Sequence, residues 1–168
     1  MALGFSRHLQ WLLATIGMAK PPPPPGGPMT REAARELVRW FLQSQGAGMS
    51  KGLNENGLGG AMVGGAQLYF EHHEDTQQLE CSALVYRFRE DPKPGVIDGF
   101  RAEAQEGTDA GGGTVDFETE SKCLFLSRDY AQMPAGSTFS KDMERLMKAS
   151  LDWGSTVLDR VASRVFGT

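Results

Sequence analysis

The sequence predicts an α+β domain built on an antiparallel twisted sheet, with elements in the order α-β-β-β-α-β-β-α. Three observations carry that expectation. Apolar residues recur at three- and four-residue spacing in residues 31–45 and again after residue 137, as on one face of a helix. Between these stretches lie runs that alternate apolar and polar, the period of a half-buried strand. Turns rich in Gly, Pro and Asn separate the runs, so strands and helices come in groups rather than in strict alternation.

Taken in order, Thr30 suits an N-cap and Glu32 favours the positive end of the helix that follows. Ala34, Leu37, Val38, Phe41 and Leu42 give that helix one apolar face, and Gly46 and Gly48 end it. Asn54-Glu55-Asn56-Gly57 is a turn, residues 58–63 a weak Gly-rich strand, and Gly64-Gly65 a hairpin turn. In the second strand Leu68 and Phe70 share one face, with Gln67, Tyr69 and Glu71 on the other. A turn over residues 73–76 leads to a third strand, 77–88. Its residues Leu79, Cys81, Ala83 and Val85 alternate with Glu80, Ser82, Leu84, Tyr86 and Phe88. The second half of that strand is apolar on both faces, so each face needs a cover: a helix, a second subunit or a client.

Asp91-Pro92-Lys93-Pro94-Gly95 breaks the pattern, and Val96, Ile97, Phe100 and Ala104 define a short helix ended by Gly107. A Gly-rich loop follows, then a hairpin of residues 114–117 and 122–127. Pro134 and Gly136 punctuate the loop before the last helix, capped by Ser137 or Thr138. Its expected stripe is Met143, Leu146, Met147, Leu151, Val157, Leu158, Val161 and Val165. Gly154 interrupts it, at up to about 1 kcal/mol relative to Ala, and marks a kink or a close contact.

The 168 residues suit one domain with an appended N-terminus, and 40% hydrophobic residues supply a core. A net charge of −4 without clustered Lys and Arg speaks against a nucleic-acid surface. Residues 1–20 form a basic-then-apolar extension too short to span a membrane. Three readings fit it: a targeting segment, a docking helix, or an extension that the domain does not need. Residues 21–28, PPPPPGGP, read as a stiff, exposed polyproline linker, and the domain runs from 29 to 168. Cys81 and Cys123 fall in apolar strand patterns, as buried free thiols do, which fits a reducing, cytoplasmic setting. A targeting role for residues 1–20 would instead place the chain in an organelle or outside the cell.

The chemistry of catalysis is not nominated. In GLGGAMVGGA the third glycine of a dinucleotide fingerprint would fall on Met62. Ala66 and Gln67 stand where a phosphate loop needs Lys and Ser/Thr. His72 and His73 are neighbours on a strand, so they point apart and suit a solvated hairpin tip better than one ion. Asp116, Glu118 and Glu120 read as a solvated acidic rim, able to steer a basic segment. No catalytic residue, metal or cofactor is expected.

With its elements in order, residues 30–166 resemble the class I type III secretion chaperones, the Tir chaperone family. The first stretch that carries the likeness is LNENGLGGAMVGGAQLYFEHHEDTQQLECSALVYRF. The second is TVDFETESKCLFLSRDYAQMPAGSTFSKDMERLMKASLDWGSTV, with Leu126-Ser127-Arg128 at a strand end and Trp153 in the closing helix. The short middle helix, VIDGFRAEAQEG, lacks the family's Leu- and Asn-containing segment. The resemblance implies a homodimer that holds a non-globular segment of an effector, without ATP. On that reading the client contacts Leu37, Phe41, Tyr69, Leu84, Tyr86 and Phe88. Val96, Ile97, Phe100, Leu124 and Leu126 form the dimer interface. The rival expectation is the same fold reused as an assembly factor or as a subunit of a larger complex.

Overall fold

The computed structural model describes residues 20–167; the segment before Lys20, with its three readings, lies outside them. The elements are α1 (Arg31–Ser44), β1 (Leu58–Val63), β2 (Ala66–His73), β3 (Gln78–Arg87), α2 (Val96–Gln105), β4 (Thr114–Glu118), β5 (Cys123–Tyr130) and α3 (Gly136–Asp152). A π-helical turn (Trp153–Val157) then joins α3 to α4 (Leu158–Phe166). The five strands form one antiparallel sheet in the order β1-β2-β3-β5-β4, so the fold is α+β as expected. After β3 the chain passes through α2 to the far edge and returns as β5 beside β3. No helix among the described residues is long and apolar enough to cross a membrane.

The chain forms two compact units. The first takes in residues 20–59, with Phe70–Leu79 and Tyr130–Ser140. Here the Thr30 hydroxyl accepts from the Ala33 N–H at 3.1 Å and caps α1. The helix turns Ala34, Leu37, Val38, Phe41 and Leu42 inward. Phe41 meets Phe70 at 6.5 Å and Phe139 at 5.5 Å, both edge-to-face, and Tyr130 lies 5.4 Å from Phe139. The proline segment does not stand free of this packing. Pro21–Pro23 are half-buried, and Gly26 N–H donates to the Met133 carbonyl at 2.8 Å. Pro28 bridges to Gln132, and Met29 is fully buried.

His72 departs from the solvated tip expected of it. It is 3% exposed, and its Nε2–H donates to the Met29 carbonyl at 2.8 Å. The alternation of β2 explains this: His72 continues the buried row of Ala66, Leu68 and Phe70, whereas Glu71 faces out.

The second unit takes in Gly60–Tyr69, Glu80–Asp129 and residues 141–167. β4 and β5 pair with Asp116 opposite Phe125 and Phe117 opposite Leu124. On one face the rings of Tyr69 and Phe125 meet edge-to-face at 5.7 Å, and the Ser82 and Ser127 hydroxyls share a 2.8 Å hydrogen bond. Phe100 of α2 stacks on Trp153 at 6.0 Å, and the Trp153 indole N–H donates to the Asp109 carbonyl at 2.8 Å. β5 runs on to Tyr130, past the expected end at Ser127. The charged letters of Arg128 and Asp129 concealed this extension, yet Arg128 is paired with Asp142 at 3.2 Å.

The last helix is not one uninterrupted rod. Its buried stripe is Met143, Leu146, Met147, Ser150, Trp153, Val157 and Val161, so Leu151 is 47% exposed where burial was expected. Ser150 is tolerated inside because its hydroxyl donates to the Met147 carbonyl at 2.7 Å. Gly154 is the close contact that the sequence suggested: a Cβ there would lie 2.6 Å from the Val85 carbonyl oxygen.

Candidate functional site

The end of β3 positions the first wall of a groove. Tyr86 is 39% exposed and Phe88 half-buried; their rings meet at 4.8 Å, and Phe88 also meets Phe117 at 6.1 Å. The Phe88 N–H donates to the Lys122 carbonyl at 2.9 Å, which holds the strand end in place. Pro92 and Pro94 then keep the connection to α2 from pairing as a strand. The second wall comes from α4 through Leu158, Val161, Ala162 and Phe166, with Val96 between the two walls. Together they enclose a groove of about 400 Å³.

Its lining is mainly apolar, and Arg89, Glu90, Asp91 and Lys93 also border it, two charges of each sign. Such a rim imposes no strong field, so shape and apolar contact dominate what the groove accepts. Phe166, 52% exposed, leaves part of its ring open to solvent.

Three features fix the α4 wall. At the π turn Gly154 lets the helix approach β3. At Gly99 of α2 the absent Cβ leaves room for Val161, whose Cγ1 would otherwise be 2.8 Å away. Finally, Arg160 grips the buried Glu103 of α2 with two 2.8 Å hydrogen bonds, and Arg164 reaches it at 3.0 Å. The Arg160 hydrogen bonds, helped by the Thr108 hydroxyl at 2.6 Å, outweigh burial and lower the Glu103 pKa to about 2.

Of the residues expected to meet a client, the structure brings Tyr86 and Phe88 together at this groove. Tyr69 and Leu84 are half-buried elsewhere on the sheet, and the Tyr69 ring is engaged by Phe125. Leu37 and Phe41 are 0% exposed, because α1 has a single apolar stripe and its own core occupies it. Among the residues expected at a dimer interface, Phe100, Leu124 and Leu126 are likewise 0% exposed. Val96 is buried at the groove, and Ile97 is half-buried.

Sequence reasoning placed Leu158 and Val161 on a core stripe and overlooked Ala162 and Phe166. The signal available was the doubly apolar strand end at residues 84–88 directly before a proline-broken connection. A strand end that carries aromatic side chains on both faces needs another element packed against it.

No family model matches this chain, and no curated protein matches it. Solved structures do. A chain of the ExsC-ExsE complex aligns with a TM-score of 0.59 at 15% identity, over 74% of this chain and 92% of that one. A chain of the HopA1-SchA chaperone-effector complex aligns with a TM-score of 0.51 at 14% identity, over 70% of this chain and 90% of that one. This chain therefore shares its fold with components of both complexes.

Proposed function

We propose that this protein is a non-enzymatic chaperone that, as a homodimer, holds a non-globular segment of an effector-like client. The observation that carries the reading is the open groove on Tyr86, Phe88, Val96, Leu158, Val161 and Phe166. It is concave, mainly apolar and bordered by charges of both signs. Its occupant is an extended client segment that inserts apolar side chains and carries flanking charges of either sign. A fold shared with a chaperone-effector complex supports this use of the groove. Half-open aromatic rings such as Tyr86 suit it further, since anchors of this kind concentrate binding energy.

The test is purification of the full chain from its native source, with partners identified and stoichiometry measured. Two copies of the chain on one dominant partner, held through a disordered segment, is the expected result. The Tyr86→Asp variant should then lose about tenfold or more in affinity for that partner. A fixed multi-subunit assembly would favour the structural-subunit role instead, and a partner-free monomer would overturn both.

A further inference from the structure

The first unit carries a second pocket of different chemistry. Arg35, Arg39, Lys51, Leu53, Asn54 and Asn56 line a cavity of about 750 Å³ beside α1. Arg35 and Arg39 are one turn apart and lie on the same face of the helix. The loop that brings Lys51 to them rests on the helix backbone. At Gly52, with φ +80°, a Cβ would lie 2.5 Å from the Arg35 carbonyl oxygen and 2.7 Å from the Arg39 nitrogen. Only glycine permits this approach, and the buried Leu53 anchors the loop behind it.

The donors at this pocket outnumber their acceptors. Arg35 pairs with Glu32 through Nη2, yet its Nε is buried and has no acceptor among the described residues. Neither Arg39 nor Lys51 takes part in an ion pair among the described residues. The Asn54 Oδ1 already accepts from the Asn56 and Leu58 N–H groups at 2.9 and 3.0 Å, which leaves its amide NH2 as an unspent donor. Glu55 is the one carboxylate in the lining. Neighbouring cations repel, and an oxyanion seated between them relieves that repulsion.

We propose that this pocket binds the carboxylates of an acidic peptide segment from a protein partner. Arg39 and Lys51 supply the charge, and the Asn54 amide orients the oxygens. Three cations and one carboxylate in a single concavity make a local site, not the extended basic track that a nucleic acid would need. The proposal stands independently of what the apolar groove holds.

The experiment measures binding of a fluorescein-labelled peptide of alternating Glu and Gly to the full chain, with the Gln counterpart as control. The Glu peptide should bind and weaken with salt, and the Gln peptide should not bind. Arg39→Glu and Lys51→Glu should each cost about tenfold or more, whereas Tyr86→Asp should leave binding unchanged. Lys51 is exposed, so its variant tests the site even if Arg39→Glu misfolds. Equal binding of the two peptides, no binding of either, or an unaltered affinity in folded Lys51→Glu would overturn the proposal. So would full displacement by inorganic phosphate at matched anion concentration, which would make the pocket a phosphate site.

Discussion

Glu103 is a carboxylate with 1% of its surface exposed, and its burial alone would favour the protonated form. The Arg160 hydrogen bonds reverse that preference and bring the pKa from the ordinary 4.5 down to about 2. A group whose folded pKa is depressed stabilises the fold above its unfolded value and loses that contribution as pH falls through the folded one. Both arginine partners are nearly half exposed, so solvent screens the pair and discounts its worth. Glu103→Gln should therefore cost about 1–2 kcal/mol at neutral pH. Urea denaturation should show the gap to the parent protein narrowing as pH falls from about 4.5 to about 2. A gap independent of pH would mean that the arginines contribute packing rather than charge. Met29 supplies a second residue-scale case. It is fully buried, and its carbonyl holds the His72 ring. Met29→Ala should cost about 2–4 kcal/mol, the range for emptying a buried Met site, as read from the urea midpoint. A change under half that size would show that the segment before α1 adds little to the first unit.

At the scale of elements, the π turn decides where α4 lies. A π turn inserts one residue into the helical repeat and commonly marks a functional position. Gly154 sits in it because the Val85 carbonyl oxygen is too near for a Cβ, and that oxygen belongs to backbone that cannot easily yield. Gly154→Ala sets two effects against each other. Alanine gains up to about 1 kcal/mol in helix propensity, and overpacking costs about 1–3 kcal/mol. The steric cost should win, lowering stability by roughly 1–2 kcal/mol in chemical denaturation; a stabilised variant would mean that the turn relaxes to a regular helix. The glycine itself was legible in the sequence as a break in an apolar stripe, and so were the order of the elements, Thr30 as a cap and the strand faces. The alternation of Leu68 and Phe70, and of Leu79 through Val85, states its period directly. The site was less legible. Leu37 and Phe41 have the same letters whether a core or a client covers them, and only tertiary contacts decide. Arg128 and Asp129 hid the end of β5 because an ion pair to a later helix cannot be read along the chain. Phe88 and Phe166 line one groove although they are far apart in sequence, which no local period records.

For the molecule as a whole, the proposed function requires apolar surface to be presented without unpacking the sheet. Cys81 on β3 and Cys123 on β5 report on that requirement, being 0% and 2% exposed at the centre of the strand order. Burial pushes the Cys81 pKa well up, and the nearby Asp129 and Glu80 carboxylates add to it, so the reactive thiolate is scarce in the folded state. Reagent must therefore wait for the packing over each thiol to open. With the groove at the end of β3 rather than across its middle, occupancy by a client should leave both thiols covered. We expect Ellman's reagent at mildly alkaline pH to modify neither cysteine quickly in the native protein. Raising urea should release both with the same midpoint as the loss of circular dichroism, since exposing either one requires unpacking the layer that covers its face of the sheet. If one thiol reacted quickly while the fold stayed intact, the layer over that strand would open locally. Client segments would then have a route into the sheet itself, and the groove would no longer suffice as the place where they are held.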